Sequence, residues 1–134
     1  MRPPNTLLTG HELELMQIVW ARGEVTVRDV YEDVLERRKI AYTTVMTTMK
    51  TLEHKGYLKT SQRNRAFLYR PTHSKHEIVK RMVRDFLDRV FNGSAQPLVA
   101  HLLQERHVSE SDLKEITRLI AEGDRKQKTT ERKK

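Results

Sequence analysis

Cysteine is absent from the 134-residue chain, which excludes a disulfide framework, a thiolate metal site and a cysteine nucleophile. Long apolar runs are absent too: no segment approaches the roughly 20 apolar residues that span a bilayer, and no signal-peptide core is visible. Enzyme motifs are also missing, since there is no glycine-rich phosphate loop, HExxH pair or nucleophile elbow. We therefore expect a cytoplasmic protein that has no membrane partner, binds no cofactor and is not an enzyme.

Metal ligands are few. Of the six histidines, only His73 and His76 lie close enough in sequence to share an ion, and no third ligand is obvious nearby. The others are scattered along the chain at positions 11, 54, 101 and 107. Solvated surface histidines are the more economical interpretation, so we predict no metal site.

Positive charge, by contrast, is concentrated in one part of the chain. The net charge is +8 overall, and residues 37–70 alone hold nine lysines and arginines against the single acid Glu53. Residues 1–36 hold three basic and seven acidic residues, and residues 74–122 hold eight of each sign. A charge needed only for solubility would not be localised in this way, whereas a concentrated basic segment is typical of a surface that binds a polyanion.

The basic segment contains a predicted helix, residues 41–56, whose two faces differ. Apolar side chains recur at helical spacing along one face, at Tyr42, Val45, Met49 and Leu52. Polar side chains occupy the opposite face and its flanks, namely Thr43, Thr44, Thr47, Lys50, Thr51 and His54. Threonine is a mediocre helix former because its β-branch restricts χ1, so five threonines in nine residues do not serve helix stability.

Two interpretations of the outward threonines are open. A merely solvated face would ordinarily carry lysine, glutamate and glutamine. A helix pressed into a DNA groove suits short side chains, because their hydroxyls can bond phosphates or base edges and their methyls can pack on thymine. We favour the second interpretation because a hairpin with a basic tip follows, with strands at 57–61 and 66–70 around the turn Gln62-Arg63-Asn64-Arg65.

These elements predict a mainly α protein with a small β-hairpin. Thr9 with Glu12, and Thr26 with Asp29, match capping boxes that open two helices before the threonine-bearing one. Three helices followed by a basic hairpin make a winged helix-turn-helix, whose third helix enters the major groove. The predicted domains are a flexible arm at 1–8, the winged domain at 9–73, a three-helix dimerisation domain at 74–122 and a disordered basic tail at 123–134.

Wide apolar stripes characterise residues 74–122, where Ser74 with Glu77 and Ser109 with Asp112 match further helix caps. A region this short buries such stripes poorly by itself, so burial against a second copy of the chain is the economical solution. A two-fold dimer would present two reading helices about 34 Å apart and specify a palindromic site. The residues predicted to hold this dimer are Ile78, Val79, Met82, Val83, Phe86, Leu87, Val90, Leu98, Leu102, Leu113, Ile116, Leu119 and Ile120.

Double-stranded DNA is the partner that these features predict, with threonines facing bases or adjacent phosphates and cations contacting phosphates. The residues predicted to contact it are Thr43, Thr44, Thr47, Lys50, Thr51, Lys55, Lys59, Arg63 and Arg65. The alternative is a winged helix that grips another protein and has no sequence-specific DNA binding. Such a module would not require the concentrated charge of the third helix and hairpin.

Two strings of residues carry a family resemblance: AYTTVMTTMKTLEHKGYL at 41–58 and R-x-R-A-F-L-Y-R-P at 63–71. With them the chain resembles the penicillinase repressors, the BlaI/MecI family. The likeness runs from about Leu8 to Ile120 and includes LM-x-IVW at 15–20 and VTVRDV at 25–30. It implies a homodimeric repressor of β-lactam-response or related genes, whose winged domain binds a palindromic operator and whose C-terminal helices hold the dimer.

The resemblance also implies a way to relieve repression. Penicillinase repressors are cut within the dimerisation helices by a protease linked to a membrane sensor. The bond that is cut in the family is Asn-Phe, and His101-Leu102 stands at the matching position in this chain. The copper-responsive members of the family carry a C-terminal cysteine motif, so copper sensing by that route is excluded here.

Overall fold

The computed structural model describes the backbone of residues 7–132 and the side chains of residues 7–122. Within this part the elements are α1 (Gly10–Arg22), α2 (Val27–Leu35), α3 (Tyr42–Lys55), β1 (Leu58–Arg63), β2 (Ala66–Pro71), α4 (Lys75–Phe91), α5 (Gln96–Gln104) and α6 (Glu110–Arg132). The predicted fold class, mainly helical with a small antiparallel hairpin, is confirmed. Residues 1–6 of the expected flexible arm lie outside the described residues.

Helix starts follow the capping pattern of the sequence. In each of four caps, a serine or threonine hydroxyl accepts a hydrogen bond from the amide three residues later. The pairs are Thr9–Glu12, Thr26–Asp29, Ser74–Glu77 and Ser109–Asp112. All four predicted caps are therefore confirmed, because capping depends on residues only three positions apart.

Internal contacts divide the chain into two compact units, with the division between Arg84 and Asp85. The N-terminal unit has one apolar core, to which α1, α2, α3, the hairpin and the start of α4 contribute. Its buried apolar residues are Leu15, Met16, Ile18, Val19, Val25, Val30, Val34, Val45, Met49, Leu52, Tyr57, Leu58, Tyr69 and Ile78. Trp20 packs against this core, and its indole N–H donates to the His73 carbonyl at 3.1 Å.

The hairpin is fixed to the helices at two points. Gly56 ends α3 with φ of +93°, a left-handed conformation that glycine adopts without strain, and the Tyr57 amide then donates to the Leu52 carbonyl at 2.9 Å. At the outer edge of β2, Val25 exchanges two backbone hydrogen bonds with Tyr69, at 3.0 and 2.7 Å. The direction of the hairpin relative to α1 and α3 is therefore set by backbone contacts.

The C-terminal unit differs in burial. None of the described side chains between residues 85 and 122 is buried. Among the predicted dimerisation residues in this unit, Leu87, Leu98 and Leu102 are half-buried and the others are exposed, up to 59% for Ile120. The helices α5 and α6 thus form as predicted, while their apolar stripes stay uncovered within the chain.

The structure differs from the sequence-based expectation at three places. Ile78 is only 2% exposed and lies in the N-terminal core, and Met82 packs against that core, so Ile78 is removed from the predicted dimer interface. The winged unit correspondingly extends to Arg84 and not to residue 73. The backbone of α6 continues to Arg132, beyond the expected start of a disordered tail at 123, because Lys, Arg, Gln and Glu favour helix; residues 133–134 lie outside the described residues.

Candidate nucleic-acid interface

The outward face of α3 carries the threonines that the sequence placed there. The side chains on this face are exposed at Thr43, Thr44, Thr47, Lys50 and Thr51. Val45, Met49 and Leu52 are fully buried beneath them. The periodicity argument therefore separated the two faces correctly along most of the helix.

Tyr42 departs from the predicted apolar stripe. It is 41% exposed, and its ring makes a T-shaped contact with the ring of Tyr31 on α2 at a centroid distance of 5.3 Å. The helix start beside it has no side-chain cap, because the N-cap residue is Ala41. The start of α3 thus lacks the capping box that opens α1 and α2, and Tyr42 is exposed beside it.

Thr48 is the one threonine of the α3 run that turns inward. Arg38 Nη2 lies 3.0 Å from His11 Nδ1, and since a guanidinium can only donate, Nδ1 accepts. The ring proton is then on Nε2, which donates to Thr48 Oγ1 at 2.9 Å, and that hydroxyl donates to the Thr44 carbonyl at 2.8 Å. This chain of hydrogen bonds holds α3 against α1, so Thr48 has a structural role.

The tip of the wing is a two-residue turn. Arg63 pairs with Ala66 across the hairpin, which leaves Asn64 and Arg65 as the loop, with φ of +52° and +68°. Turns of this kind prefer glycine at the second position, because a side chain in the left-handed region costs about 1–2 kcal/mol. Arg65 accepts that strain at the exposed tip of the hairpin, which favours a role for its charge.

The two faces of the wing differ in chemistry. Strand alternation puts one set of residues on the face toward α3, namely Thr60, Gln62, Phe67 and Tyr69. These line a groove of about 450 Å³ together with Ser61 and with Lys50 and Glu53 of α3. The floor is hydrogen-bonded, since the Thr60 hydroxyl donates to the Glu53 carboxylate. Burial raises the pKa of Tyr69 in this floor, and the Glu53 charge adds to the rise.

Phe67 is a feature that the sequence analysis missed. It is 60% exposed at the mouth of the groove, although it is on the same strand face as the buried Tyr69. The sequence does carry a signal for it: Phe67 and Tyr69 are two residues apart and so lie on one strand face, with Phe67 nearer the basic turn. This pattern indicates that the end of the hairpin extends beyond the helix on which the hairpin packs.

Acidic residues of segment 1–36 form ion pairs with some of the cations in segment 37–70. Arg38 pairs with Glu14 at 2.7 Å, and the hydrogen bond from Arg38 is the main reason that the pKa of Glu14 is lowered. Glu24 lies 3.7 Å from Arg63 and 4.0 Å from Arg70. Within the described residues, by contrast, no ion pair is formed by a further set of cations: Arg37, Lys39, Lys50, Lys59 and Arg65.

Lys55 is placed differently from the prediction that it contacts phosphate. Its Nζ donates to Glu12 Oε1 at 2.7 Å and to the Leu7 carbonyl at 3.4 Å. Burial raises the pKa of Glu12, but the hydrogen bonds from Lys55 and from the Thr9 amide outweigh it and leave that pKa below its usual value. We therefore assign Lys55 to the internal ion pair.

The predicted cleavage position lies within α5. His101 is exposed and Leu102 is half-buried, and both carbonyls accept backbone hydrogen bonds, from Glu105 at 3.0 Å and from His107 at 3.0 Å. A protease needs an extended segment, so cutting here requires this helix to unwind locally.

Among the described residues, no group of three or more histidines and acids is arranged to hold a metal ion. None of the described helices is long and apolar enough to cross a membrane.

Comparison with known proteins finds a family model, related sequences and a related solved structure. The family model described as "Penicillinase repressor" matches residues 8–122. A transcriptional regulator BlaI from Mycobacterium tuberculosis is 34% identical over 119 residues, which cover 87% of this chain and 85% of that protein. A penicillinase repressor from Bacillus licheniformis is 23% identical over 121 residues, covering 90% and 94%. The solved B. licheniformis BlaI monomeric form in complex with the blaP half-operator aligns with 54% of this chain and 88% of that one, with 22% identity and a TM-score of 0.48.

Proposed function

This chain belongs to the penicillinase repressor family, and we propose that it acts as a homodimeric repressor that binds a palindromic operator. Its relatives are named as transcriptional regulators and repressors and not as enzymes. The observation that carries the proposal is the exposed threonine face of α3, which lies next to a cationic wing in the same compact unit. The genes it controls would be β-lactam-response or related genes.

Base reading is assigned to α3. Thr43, Thr44, Thr47 and Thr51 face outward, where short hydroxyls and methyls fit the major groove. We further infer that the amides at the start of the helix that no side chain caps, together with the Tyr42 hydroxyl, would donate to a phosphate. In this arrangement the threonines select the sequence, and the helix start fixes the register of α3 on the duplex.

Phosphate contact is assigned to Lys50, Lys59 and Arg65, which form no ion pair among the described residues, and to Arg63, which is 73% exposed beside Glu24. Lys50 lines the groove between α3 and the wing, and Arg65 lies at the wing tip. Phe67 at the groove mouth would pack on a deoxyribose of the DNA strand whose phosphates these cations contact. This apolar contact would be independent of salt. Charged and apolar contacts can therefore be separated experimentally by their salt dependence.

Dimerisation is assigned to the uncovered apolar faces of the C-terminal unit. Phe86, Val90, Leu119 and Ile120 are each between about half and three-fifths exposed. Patches of this kind ordinarily mark an interface, because water-exposed apolar surface costs free energy. Relief of repression by a sensor-linked protease, cutting at His101-Leu102, would separate these faces and so weaken operator binding.

The main experiment measures DNA binding at two salt concentrations. Operator fragments are first selected from the host genome by their binding to the protein, and a random duplex of equal length is compared. Affinity for both duplexes should fall steeply with salt, by a factor that rises with the number of phosphate contacts, and the operator should bind more tightly. A salt-independent or absent interaction with DNA would favour the alternative, a winged helix that grips another protein.

Thr47→Ala tests the reading face. It should cost ~1–3 kcal/mol on the operator and little on the random duplex if the hydroxyl or methyl contacts a base. Thr117→Ala is the matched control, because Thr117 is an exposed helical threonine in the C-terminal unit. Equal losses for Thr47→Ala on both duplexes would remove Thr47 from the set of reading residues.

A further inference from the structure

Glu24 lies where the chain crosses from α1 to the edge of the wing. The neighbouring Val25 donates to the Tyr69 carbonyl at 3.0 Å and accepts from the Tyr69 amide at 2.7 Å. These two backbone bonds hold residue 24 alongside β2. The backbone position of Glu24 is therefore set by its place beside β2.

The carboxylate reaches two arginines on the wing face that points away from α3. Oε1 lies 3.7 Å from Arg63 Nη1, and Oε2 lies 4.0 Å from Arg70 Nε. Each oxygen thus faces a different guanidinium. Both distances exceed those of hydrogen bonds, so the attraction is electrostatic.

A DNA phosphate would compete with this carboxylate. Arg63 and Arg70 are 73% and 52% exposed, and ion pairs as exposed as these are weak because water screens them. A phosphate of duplex DNA offers stronger acceptors than the Glu24 carboxylate and can displace it. The attraction between Glu24 and the two arginines is then lost, which reduces the binding free energy. The loss is the same for every DNA sequence, because wing contacts to phosphates carry no base information.

We propose that Glu24 competes with DNA for two arginines of the wing, Arg63 and Arg70. By this competition Glu24 lowers the affinity of the repressor for DNA of any sequence. This inference rests on the proposed function, since it needs the wing to contact phosphates. It separates two properties of the protein: Glu24 and the wing arginines adjust how tightly duplex DNA is held, and the α3 threonines determine which duplex is preferred.

The test compares Glu24→Gln with the parent protein on a labelled random-sequence duplex. Glu24→Gln should bind about two- to fivefold more tightly, because the arginines no longer have an internal partner. Glu24→Asp should also bind more tightly, since it keeps the charge but its shorter side chain withdraws from both guanidinium groups. Thermal unfolding of each variant confirms that the fold is retained.

Two further proteins separate competition from a simple change of net charge. Glu115→Gln makes the same charge change and also loses an exposed arginine pair, with Arg118 at 2.5 Å in the C-terminal unit, so it should bind DNA as the parent does. In an Arg63→Ala, Arg70→Ala background, Glu24→Gln should give no gain. A gain of equal size in that background would overturn competition and leave only a long-range charge effect.

The remaining outcomes are also decisive. Weaker binding by Glu24→Gln would mean that Glu24 positions the arginines for DNA, which contradicts the proposal. Unchanged binding, with a parent that binds DNA in a salt-dependent way, would overturn the competition but not the repressor assignment. A parent that binds no duplex at any salt concentration would overturn both.

Discussion

The two units of this protein have helices of similar amphipathic pattern and opposite burial. In the N-terminal unit, the apolar stripes of α1, α2 and α3 meet one another and supply the buried core, although Tyr42 stays exposed. In the C-terminal unit, stripes that are just as regular leave every described side chain up to residue 122 at least partly exposed. An amphipathic pattern therefore predicts a helix, but only the neighbours of that helix decide whether the stripe is a core or an interface.

Truncation of a core leucine should have the largest effect on this comparison. Leu52→Ala removes a fully buried side chain of α3 and should cost about 2–5 kcal/mol of unfolding free energy at every protein concentration. Leu119→Ala makes the same change at a side chain that is 53% exposed. The loss of unfolding free energy caused by Leu119→Ala should depend on protein concentration, because it arises only in the dimer. Urea denaturation at several protein concentrations measures it. Equal, concentration-independent losses would mean that the C-terminal unit has its own core.

Phe86→Asp should have the next largest effect. Phe86 is 47% exposed on the unburied part of α4, and a carboxylate there should weaken the proposed dimer by ~2 kcal/mol or more. Sedimentation velocity should then show monomers, with weaker operator binding. Phe67→Asp is the matched control, since it makes the same change at an exposed phenylalanine of the wing and should leave sedimentation unchanged. A parent that is already monomeric at micromolar concentration would contradict the proposed interface.

Lys55→Met should have a smaller effect, which depends on pH. It leaves the Glu12 carboxylate, 5% exposed, without its cation and should cost ~1–3 kcal/mol near neutral pH. The pKa of Glu12 is lowered in the folded parent, so its ion pair stabilises the fold above the pKa of the unfolded chain and is lost as pH falls through the lower, folded value. Urea denaturation at about pH 7 and about pH 4 should therefore show a larger loss at the higher pH. An equal loss at both values would mean that Lys55 acts through packing alone.

Arg65→Gly should have the smallest effect on stability and the opposite sign. Glycine relieves the left-handed conformation at the wing tip, so the fold should gain up to ~1 kcal/mol. DNA affinity should nevertheless fall, with a flatter dependence on salt, because a phosphate-contacting cation is removed. Asn64→Gly is the control, since it relieves the neighbouring residue and keeps the charge. Unchanged affinity in Arg65→Gly would contradict the role proposed for this strained arginine.

Predictability followed the range of the interactions involved. The caps at Thr9 and Thr26 depend on acids three residues away, and the two faces of α3 depend on a period of 3.6, so both could be identified in the sequence. The role of Lys55 could not, because its partner Glu12 is 43 residues away in the chain and on another helix. Ile78 was assigned to the wrong surface for the same reason: periodicity marks it as apolar but does not name what covers it.

The sequence by itself determined the order of the elements, their caps, the threonine face of α3 and the concentration of positive charge, because each is a property of neighbouring residues. Only the tertiary structure decided which cations remain available and which acids engage the others, as Glu24 does on the wing and Glu12 does beneath α3. It also decided that the start of α4 belongs to the winged unit. The physical reason is that burial and ion pairing depend on the distance between groups, and that distance is set by packing between elements far apart in the chain.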